Sequence, residues 1–501
     1  KDNKASYRRN NIINDNVTIA TTIAASTTTT TITITTITIR ELPLSLLLTT
    51  NYQYNLKMLG LLLAPRLLYF IIFLNIIFRT SSESKYCAKS DNNEESKCKI
   101  QSHFSRNRYI LYDVNPPEGF NLRRDVYVRV AVFIRNLIEQ EKEYNWQLVL
   151  PPWGNLYHWR SQNIGSQIQL PWGLFFDIRS LQKYIPVIEM YNFLREYPSE
   201  EGTSELDVVY FLQNDEDMFK TGKFKDKNEI TECPQNSLRY RKLNNEEYAG
   251  YFWGYNNVTA RDVKCVMFHG MMSDLITNLK PSLYRSVVFD HMEIPLHDYY
   301  GSREYWRARR SMRYNAKLYD IANEFREKFL NSTNESDNTL RPKDWTTEKG
   351  IRTAIGGPYL SVHLRRRDFL VGRSSTVPSI KFAAEQLKKK MSELMLNVLF
   401  VATDATEEEF EELKTYLPDY TVRKFVPSDY VLNEFKDGGV AIIDQVICSY
   451  ARYFIGTHES TFTFRIQEDR EIMGFPADST FNRLCKGEEK CGPTGRWEIV
   501  W

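Results

Sequence analysis

The sequence predicts an α/β protein built from two parallel-sheet domains that face each other across a crevice. Three observations point there. At 501 residues the chain is long enough for two full-sized cores. Past residue 105 the chain reads strand, helix, strand: Tyr109–Val114 reads as a buried strand, Leu122–Glu139 carries apolar residues at helical spacing, and Trp146–Leu150 reads as a second strand. The second half repeats this alternation. Strand-like runs occur at Leu360–Leu364, Val398–Thr403 and Tyr453–Gly456, and helical patterns at Ile380–Leu396, Glu407–Leu417, Val440–Ala451 and Thr461–Met473. Alternation of this kind belongs to βαβ units, whose ligands sit beyond the carboxyl ends of the strands.

Ahead of these units the chain reads differently. Thr21–Ile39 is almost entirely Thr, Ile and Ala, a low-complexity tract without cap or turn signals. The first methionine is Met58, and residues 58–80 read as a secretory signal peptide, or alternatively as a signal anchor. Residues 1–57 are then expected to be translated upstream sequence, and residues 81–105, rich in Ser, Lys, Glu and Asn, a flexible entry. A formal net charge of only +2 gives no reason to expect non-specific nucleic-acid binding.

A secretory route makes the seven cysteines legible as disulfide partners. Cys485 and Cys491 can close a short C-terminal loop, Cys233 and Cys265 a longer one, and Cys87 and Cys98 can pair near the N-terminus; spacing alone does not fix the connectivity. Cys448, inside the apolar helical pattern AIIDQVICSYA, is expected to be a buried free thiol. Acceptor sequons for N-glycans stand at Asn257, Asn331 and Asn334.

Within the first unit, Tyr109–Asn121 (YILYDVNPPEGFN) ends an apolar run in a rigid Pro116-Pro117 turn that presents one carboxylate, Glu118, beside Gly119. Asn121 is the expected N-cap of the following helix. Held in a partly dehydrated cleft, Glu118 has the chemistry of a general base. The plainer reading is an acid favouring a helix N-terminus. The runs Pro151-Pro152-Trp153-Gly154 and Pro171-Trp172-Gly173 suit turn packing in the core better than ligand stacking.

The second unit carries the complementary piece. In YLSVHLRRRD (Tyr359–Asp368) a strand delivers His363 and Arg365 to one face, and Asp368 can buttress an arginine. Arginine grips phosphate through two parallel hydrogen bonds and offsets charge on a leaving diphosphate. A solvated basic edge paired with surface acids is the alternative. In Gly456–Phe462 hydroxyl residues open a helix, which suits either a phosphate at Ser460, Thr461 and Phe462 or an ordinary cap. Asp444 is an acid inside an apolar helix, placed to accept hydrogen bonds from a guanine or to satisfy an arginine. Asp215-Glu216-Asp217 matches the DxD pattern of metal-dependent glycosyltransferases, but the charged, turn-like segment Met218–Glu232 after it reads as a surface excursion. No CxxC, HExxH, Walker or GxGxxG pattern is present.

Taken together, YDVNPPEGFNLRRDVYVR, LPPWGNLYHW, YLSVHLRRRDF, FVATDA, DGGVAIIDQVIC and the TFTFRI run resemble the protein O-fucosyltransferases, specifically those that modify thrombospondin type 1 repeats. The related enzymes acting on EGF-like repeats use a different, glycine-rich loop in place of NPPEGFN. The resemblance covers nearly everything from about residue 106 onward. It implies a GT-B architecture: a Rossmann-like domain over 106–335 with the acceptor site and base, and another over 336–501 that binds GDP-fucose. It implies inverting, metal-independent transfer of L-fucose to Ser or Thr hydroxyls in the lumen of the endoplasmic reticulum. Glu118 matches the family's base. Asn115, Pro116, Pro117, Gly119, Phe120 and Asn121 match its donor-side loop, and His363, Arg365, Asp444, Ser460, Thr461 and Phe462 its donor-binding positions. The family pairing of cysteines fits Cys233–Cys265 and Cys485–Cys491. The leader, the long loop near 214–230 and His458-Glu459 depart from the pattern. Two rival readings are a catalytically silent module that recognises cysteine-rich repeats, and a metal-dependent transferase using Asp215 and Asp217.

Overall fold

The structure, a computed structural model, describes residues 105–501 apart from 155, 198–201, 235–238, 245 and 488–494. The expected leader, signal segment, Cys87, Cys98 and Cys491 lie outside the described residues. Among the described residues no helix is long and apolar enough to cross a membrane.

Two sheets organise the chain. The first contains, among the described residues, β1 (Asn107–Tyr112), β2 (Asn145–Leu150), β3 (Val187–Glu189), β4 (Ser204–Gln213), β5 (Lys227–Thr231), β6 (Tyr240–Lys242), β7 (Tyr248–Gly250), β8 (Val258–His269) and β9 (Ser286–Asp290). Its parallel part runs β3-β2-β1-β9-β4-β8, with β5, β6 and β7 added antiparallel beyond β8. The second sheet contains β10 (Gly357–Leu364), β11 (Val398–Thr403), β12 (Thr421–Arg423) and β13 (Ala451–Ile455), all parallel, in the order β12-β11-β10-β13. Both follow the Rossmann-like third-second-first order and reverse direction beside their first strand, at β1/β9 and at β10/β13. Such reversals open a crevice at the carboxyl end of the sheet. The protein is thus α/β with two Rossmann-like sheets, the GT-B arrangement that the resemblance implied.

Each sheet is buried on both faces, which is why β1 carries the unbroken apolar run Tyr109–Tyr112 and why β10, which alternates, buries Ser361 and His363 as well as its apolar residues. Ile110, Leu111 and Tyr112 are at most 1% exposed, and Leu360 and Val362 fully buried. Helix α1 (Phe120–Gln140) lays Val126, Val130, Phe133, Ile134 and Leu137 against the first sheet. One apolar core runs on from there through Leu318 to Phe400, Ile442 and Ile443 of the second half.

Behind the crevice the two halves share a buried polar network. It joins α1, α2 (Arg303–Ser311), α4 (Asp429–Ser449) and α5 (Thr461–Met473), while α3 (Ala316–Leu330) packs on α4. Arg124 donates to Gln445 and to the Tyr314 hydroxyl, each at 2.6 Å, and Tyr314 donates to Asp469 at 3.0 Å. Arg309 pairs with Glu468 at 2.5 Å and Asp469 at 2.8 Å. Glu468 also takes Tyr305 at 2.5 Å and Arg465 at 2.7 Å. Arg309 and Asp469 are buried, and Glu468 keeps Arg465, so removing Arg309 leaves the Asp469 carboxylate away from water without its guanidinium partner. Arg309→Ala is expected to lower the unfolding free energy by about 3–5 kcal/mol. Denaturant titration measures it, and a loss below about 1 kcal/mol, the scale of an exposed pair, would show that the network does not hold the halves together.

Several local expectations are corrected. The first strand ends at Tyr112, not Val114; Asp113 leaves the ladder and its carboxylate accepts from the Val114 N–H at 2.8 Å. Gly119, not Asn121, occupies the N-cap of α1; Asn121 sits in the first turn, where its carboxamide oxygen accepts from Gln445 at 2.8 Å and Arg124 at 3.2 Å. The segment 218–232 is not a bare loop: a short helix, Glu216–Thr221, leads into β5, which pairs with the far end of β8. Helix α4 starts at Asp429, well before Val440, and is kinked at Lys436, whose φ is +56°.

Cys233 and Cys265 form a disulfide; Cys485 is disulfide-bonded and Cys448 is a buried free thiol. Trp153 and Trp172 are core residues, edge-on or tilted against Phe120, Phe175 and Phe176. Asn257 and Asn331 are exposed, whereas the carboxamide oxygen of partly covered Asn334 accepts from Arg326 at 2.9 Å.

Candidate functional site

Both sheet reversals open into one cleft of about 490 Å³. From the first sheet the chain leaves β1 through Asp113–Gly119. Pro117, Glu118, Gly119, Phe120 and Asn121 line the cleft, joined by His158 and Trp159. From the second sheet come His363 and Arg365 at the end of β10, Ser460, Thr461 and Phe462 after β13, and Asp444 from α4. Asn115 and Pro116 are the exceptions among the expected residues. Pro116 faces a neighbouring cavity, and Asn115 serves the turn through its backbone, its N–H donating to Glu293 at 3.1 Å.

A guanidinium that the sequence reading did not single out holds the Glu118 turn. Arg123, one turn into α1, donates to the carbonyls of Glu118 at 3.0 Å and Asn115 at 3.2 Å. The Glu118 N–H closes the turn onto the Asn115 carbonyl at 3.0 Å. The carboxyl itself is half-buried. Burial, and then the like charge of Glu293, raise it above the ordinary carboxylate range against the pull of Arg123 and Arg129. A carboxylate raised in this way is a better proton acceptor than an exposed one.

Arg365 is fixed just as firmly across the cleft. It donates to Asp404 and to Asp368, both at 2.5 Å, and lies 3.3 Å from the ring nitrogens of His158. The buttress by Asp368 was legible three residues away, but Asp404 and His158 were not. Burial first, and then the Arg365 charge, keep the His158 imidazole low. His363 is buried and stacked on Phe462, with ring centroids 4.3 Å apart, and its Nδ1 meets the Thr463 hydroxyl at 2.9 Å. Burial and Arg365 push its imidazole down to about 3, so it stays neutral.

Ser460 stands at the N-cap of α5 but makes no capping bond with its side chain. The first-turn N–H groups of that helix have no intrahelical partner, and the dipole adds partial positive charge there. Asp444 reaches the cleft from inside an apolar helix. Its Oδ1 is buried without a hydrogen-bond partner, and burial pushes the carboxyl up to about 8.

The DxD pair is elsewhere. Asp215 caps the short helix after β4 and pairs with Lys227 at 2.8 Å, and Asp217 is 88% exposed in its side chain. Neither lines the cleft.

This arrangement can do a definite piece of chemistry. One wall offers a raised carboxylate, the other a clamped guanidinium, a helix N-terminus and an unpartnered buried carboxyl. That combination suits a nucleotide diphosphate on one side and a hydroxyl nucleophile on the other.

The same span is matched by known proteins. Residues 109–473 match the family described as GDP-fucose protein O-fucosyltransferase. The human GDP-fucose protein O-fucosyltransferase 2 is 46% identical over 400 residues, which cover 79% of this chain and 91% of the human one. The Caenorhabditis elegans protein of the same name is 42% identical over 424 residues, covering 83% and 96%. A crystal structure of POFUT1 in complex with GDP-fucose aligns with 76% of this chain and 99% of its own at a TM-score of 0.48 and 15% identity. The family match over residues 109–473 and the two relatives above 40% identity run through both walls of the cleft, and on these the chain belongs to the GDP-fucose protein O-fucosyltransferase family.

Proposed function

We propose that this fucosyltransferase moves L-fucose from GDP-fucose to Ser or Thr hydroxyls of folded thrombospondin type 1 repeats, with inversion and without a metal ion, in the lumen of the endoplasmic reticulum. The observation that carries the reading is the shared cleft, which holds Glu118 on one wall and Arg365, Asp444 and the α5 N-terminus on the other. Glu118 takes the proton of the acceptor hydroxyl. The freed oxygen attacks the anomeric carbon from the face opposite the diphosphate, the carbon–oxygen bond to phosphate breaks, and GDP leaves with the bonding pair. Arg365 and the amides near Ser460, Thr461 and Phe462 stabilise the charge that builds on the leaving diphosphate. His363, stacked on Phe462, and Asn121, tied to Gln445 beside Asp444, shape the donor pocket around them.

Asp444 accepts the guanine's N–H groups in this reading. The apolar helix holds its carboxyl near 8, and those donors favour the ionised form. Binding GDP then releases a proton, so affinity rises with pH up to about 8 and falls below it by at most about tenfold per unit. Calorimetry in buffers of different ionisation enthalpy reads the proton directly, and Asp444→Asn removes it. Affinity that does not change with pH would rule out this role.

The lumenal location rests on the secretory reading of residues 58–80 and on the disulfide, and the sequons at Asn257, Asn331 and Asn334 are proposed to carry glycans there. The whole reading is tested by GDP release with a folded repeat as acceptor, with and without chelator, and by the anomeric configuration of the product. Release that needs the folded repeat, ignores the chelator and gives the opposite configuration from the donor supports it. Release lost on chelation, or a retained configuration, overturns it.

A further inference from the structure

A second cavity, of about 320 Å³, shares the Pro116-Pro117 turn with the donor cleft: Pro116 lines this cavity and Pro117 the cleft. That is the small end of ligand-pocket volumes, with room for one or two side chains rather than a whole nucleotide sugar. Val114, Pro116 and Pro152, from the ends of β1 and β2, make one wall; Ile168, Tyr251 and Trp253 make the other. Tyr251 and Trp253 follow the antiparallel β6–β7 extension, within the stretch closed by the Cys233–Cys265 disulfide. The cavity is preformed. A Cβ on Gly154 would stand only 2.6 Å from the Ile168 Cα, so the two loops are in close contact.

Two features define what fits. The charged groups of the floor are already engaged. Arg239 pairs with Asp113 and with fully buried Asp290, and Arg123 lies 3.8 Å from Asp113 while its remaining N–H groups serve the loop carbonyls. A charged guest would therefore lose its water without gaining a free partner. The rim is strained. Gln169, Phe252 and Trp253 all hold positive φ, at 54°, 34° and 56°, and Gln169 Nε2 ties two of these segments together by donating to the Trp253 carbonyl at 3.2 Å. Strain of this kind persists where a site needs a particular shape.

Pro116 is two residues from Glu118, at most about 7 Å along the chain, and two residues of an extended peptide span the same distance. We propose that this cavity is an acceptor-side subsite that receives an uncharged apolar or aromatic side chain of the protein substrate, next to the hydroxyl presented to Glu118. The proposal rests on the reading given above and adds to it where the acceptor is gripped and by what chemistry.

Two rim substitutions test it in the full chain. Ile168 is 50% exposed at the mouth and outside the donor cleft. Ile168→Trp fills the cavity, and Ile168→Glu sets a charge over a floor whose charged groups are already paired. With a folded thrombospondin type 1 repeat as acceptor, each is expected to raise the acceptor KM by about tenfold or more, equivalent to about 1.4 kcal/mol. GDP affinity, slow hydrolysis of GDP-fucose without acceptor and the thermal midpoint should all match wild type. An unchanged acceptor KM in both variants overturns the subsite, as does an equal loss of GDP affinity. Wild-type protein that leaves the repeat unmodified sinks the substrate reading itself, before any variant is compared.

Discussion

Glu118→Ala is expected to cut fucose transfer by about 10²–10⁴-fold while GDP affinity stays close to wild type. The side chain sits on the wall opposite Arg365 and Asp444, so removing it takes no group from the diphosphate or the base. The turn survives because its hydrogen bonds run through backbone atoms: Arg123 to the Glu118 and Asn115 carbonyls, and the Glu118 N–H to Asn115. GDP release with acceptor and calorimetry with GDP separate the two quantities. A variant that keeps transfer within tenfold of wild type would remove Glu118 from the mechanism.

The pH dependence carries a sign that can be fixed in advance. A base works only when ionised, so transfer falls as pH drops through the Glu118 pKa. Burial and Glu293 raise that pKa, and the acid limb should therefore lie above the ordinary glutamate value of about 4.3. Glu293→Gln removes the like charge, while its carboxamide oxygen can still accept from the Asn115 N–H, so the acid limb should move down in pH. A limb that stays put would mean Glu293 does not act on Glu118.

What the sequence made legible is what the chain determines locally. A strand, a Pro-Pro turn and a helix start occupy one run of residues, so Glu118 could be placed from Tyr109–Asn121 alone. The same holds for His363 and Arg365 at the end of β10 and for the helix opening after β13. The illegible parts depend on distant partners. Arg365 meets Asp404 39 residues on and His158 207 residues back, and no periodicity encodes either. Asn121 would cap a helix considered in isolation, yet Gln445, 324 residues away, claims its carboxamide and Gly119 takes the cap. The segment 218–232 is too charged to read as a strand. It becomes one because β8 extends past β7 and leaves an unpaired edge for Lys227–Thr231. Strand β12, only three residues long with exposed ends, carries too little pattern to stand out.

Arg365→Ala should weaken both steps, and by more than the loss of one phosphate contact. A charge-assisted bidentate grip is worth about 1.5–3 kcal/mol, or about 10- to 150-fold in GDP affinity. The transition state, in which more charge sits on the leaving oxygens, should lose more still, so the transfer rate falls further than GDP binding does. The geometry adds a second cost. Arg365 is bracketed by Asp368 and Asp404, and alanine leaves those two carboxylates unpaired beside an anionic ligand. Arg365→Ala combined with Asp404→Asn should therefore bind GDP better than Arg365→Ala alone, although it regains little catalysis. Arg365→Lys should not rescue transfer, because a single ammonium cannot hold both carboxylates and a diphosphate in one plane. Calorimetry with GDP across the three variants, set beside their transfer rates, reads each term separately. If Arg365→Ala binds GDP as wild type does, the guanidinium does not touch the diphosphate, and the leaving-group half of the mechanism falls to the α5 N-terminus alone.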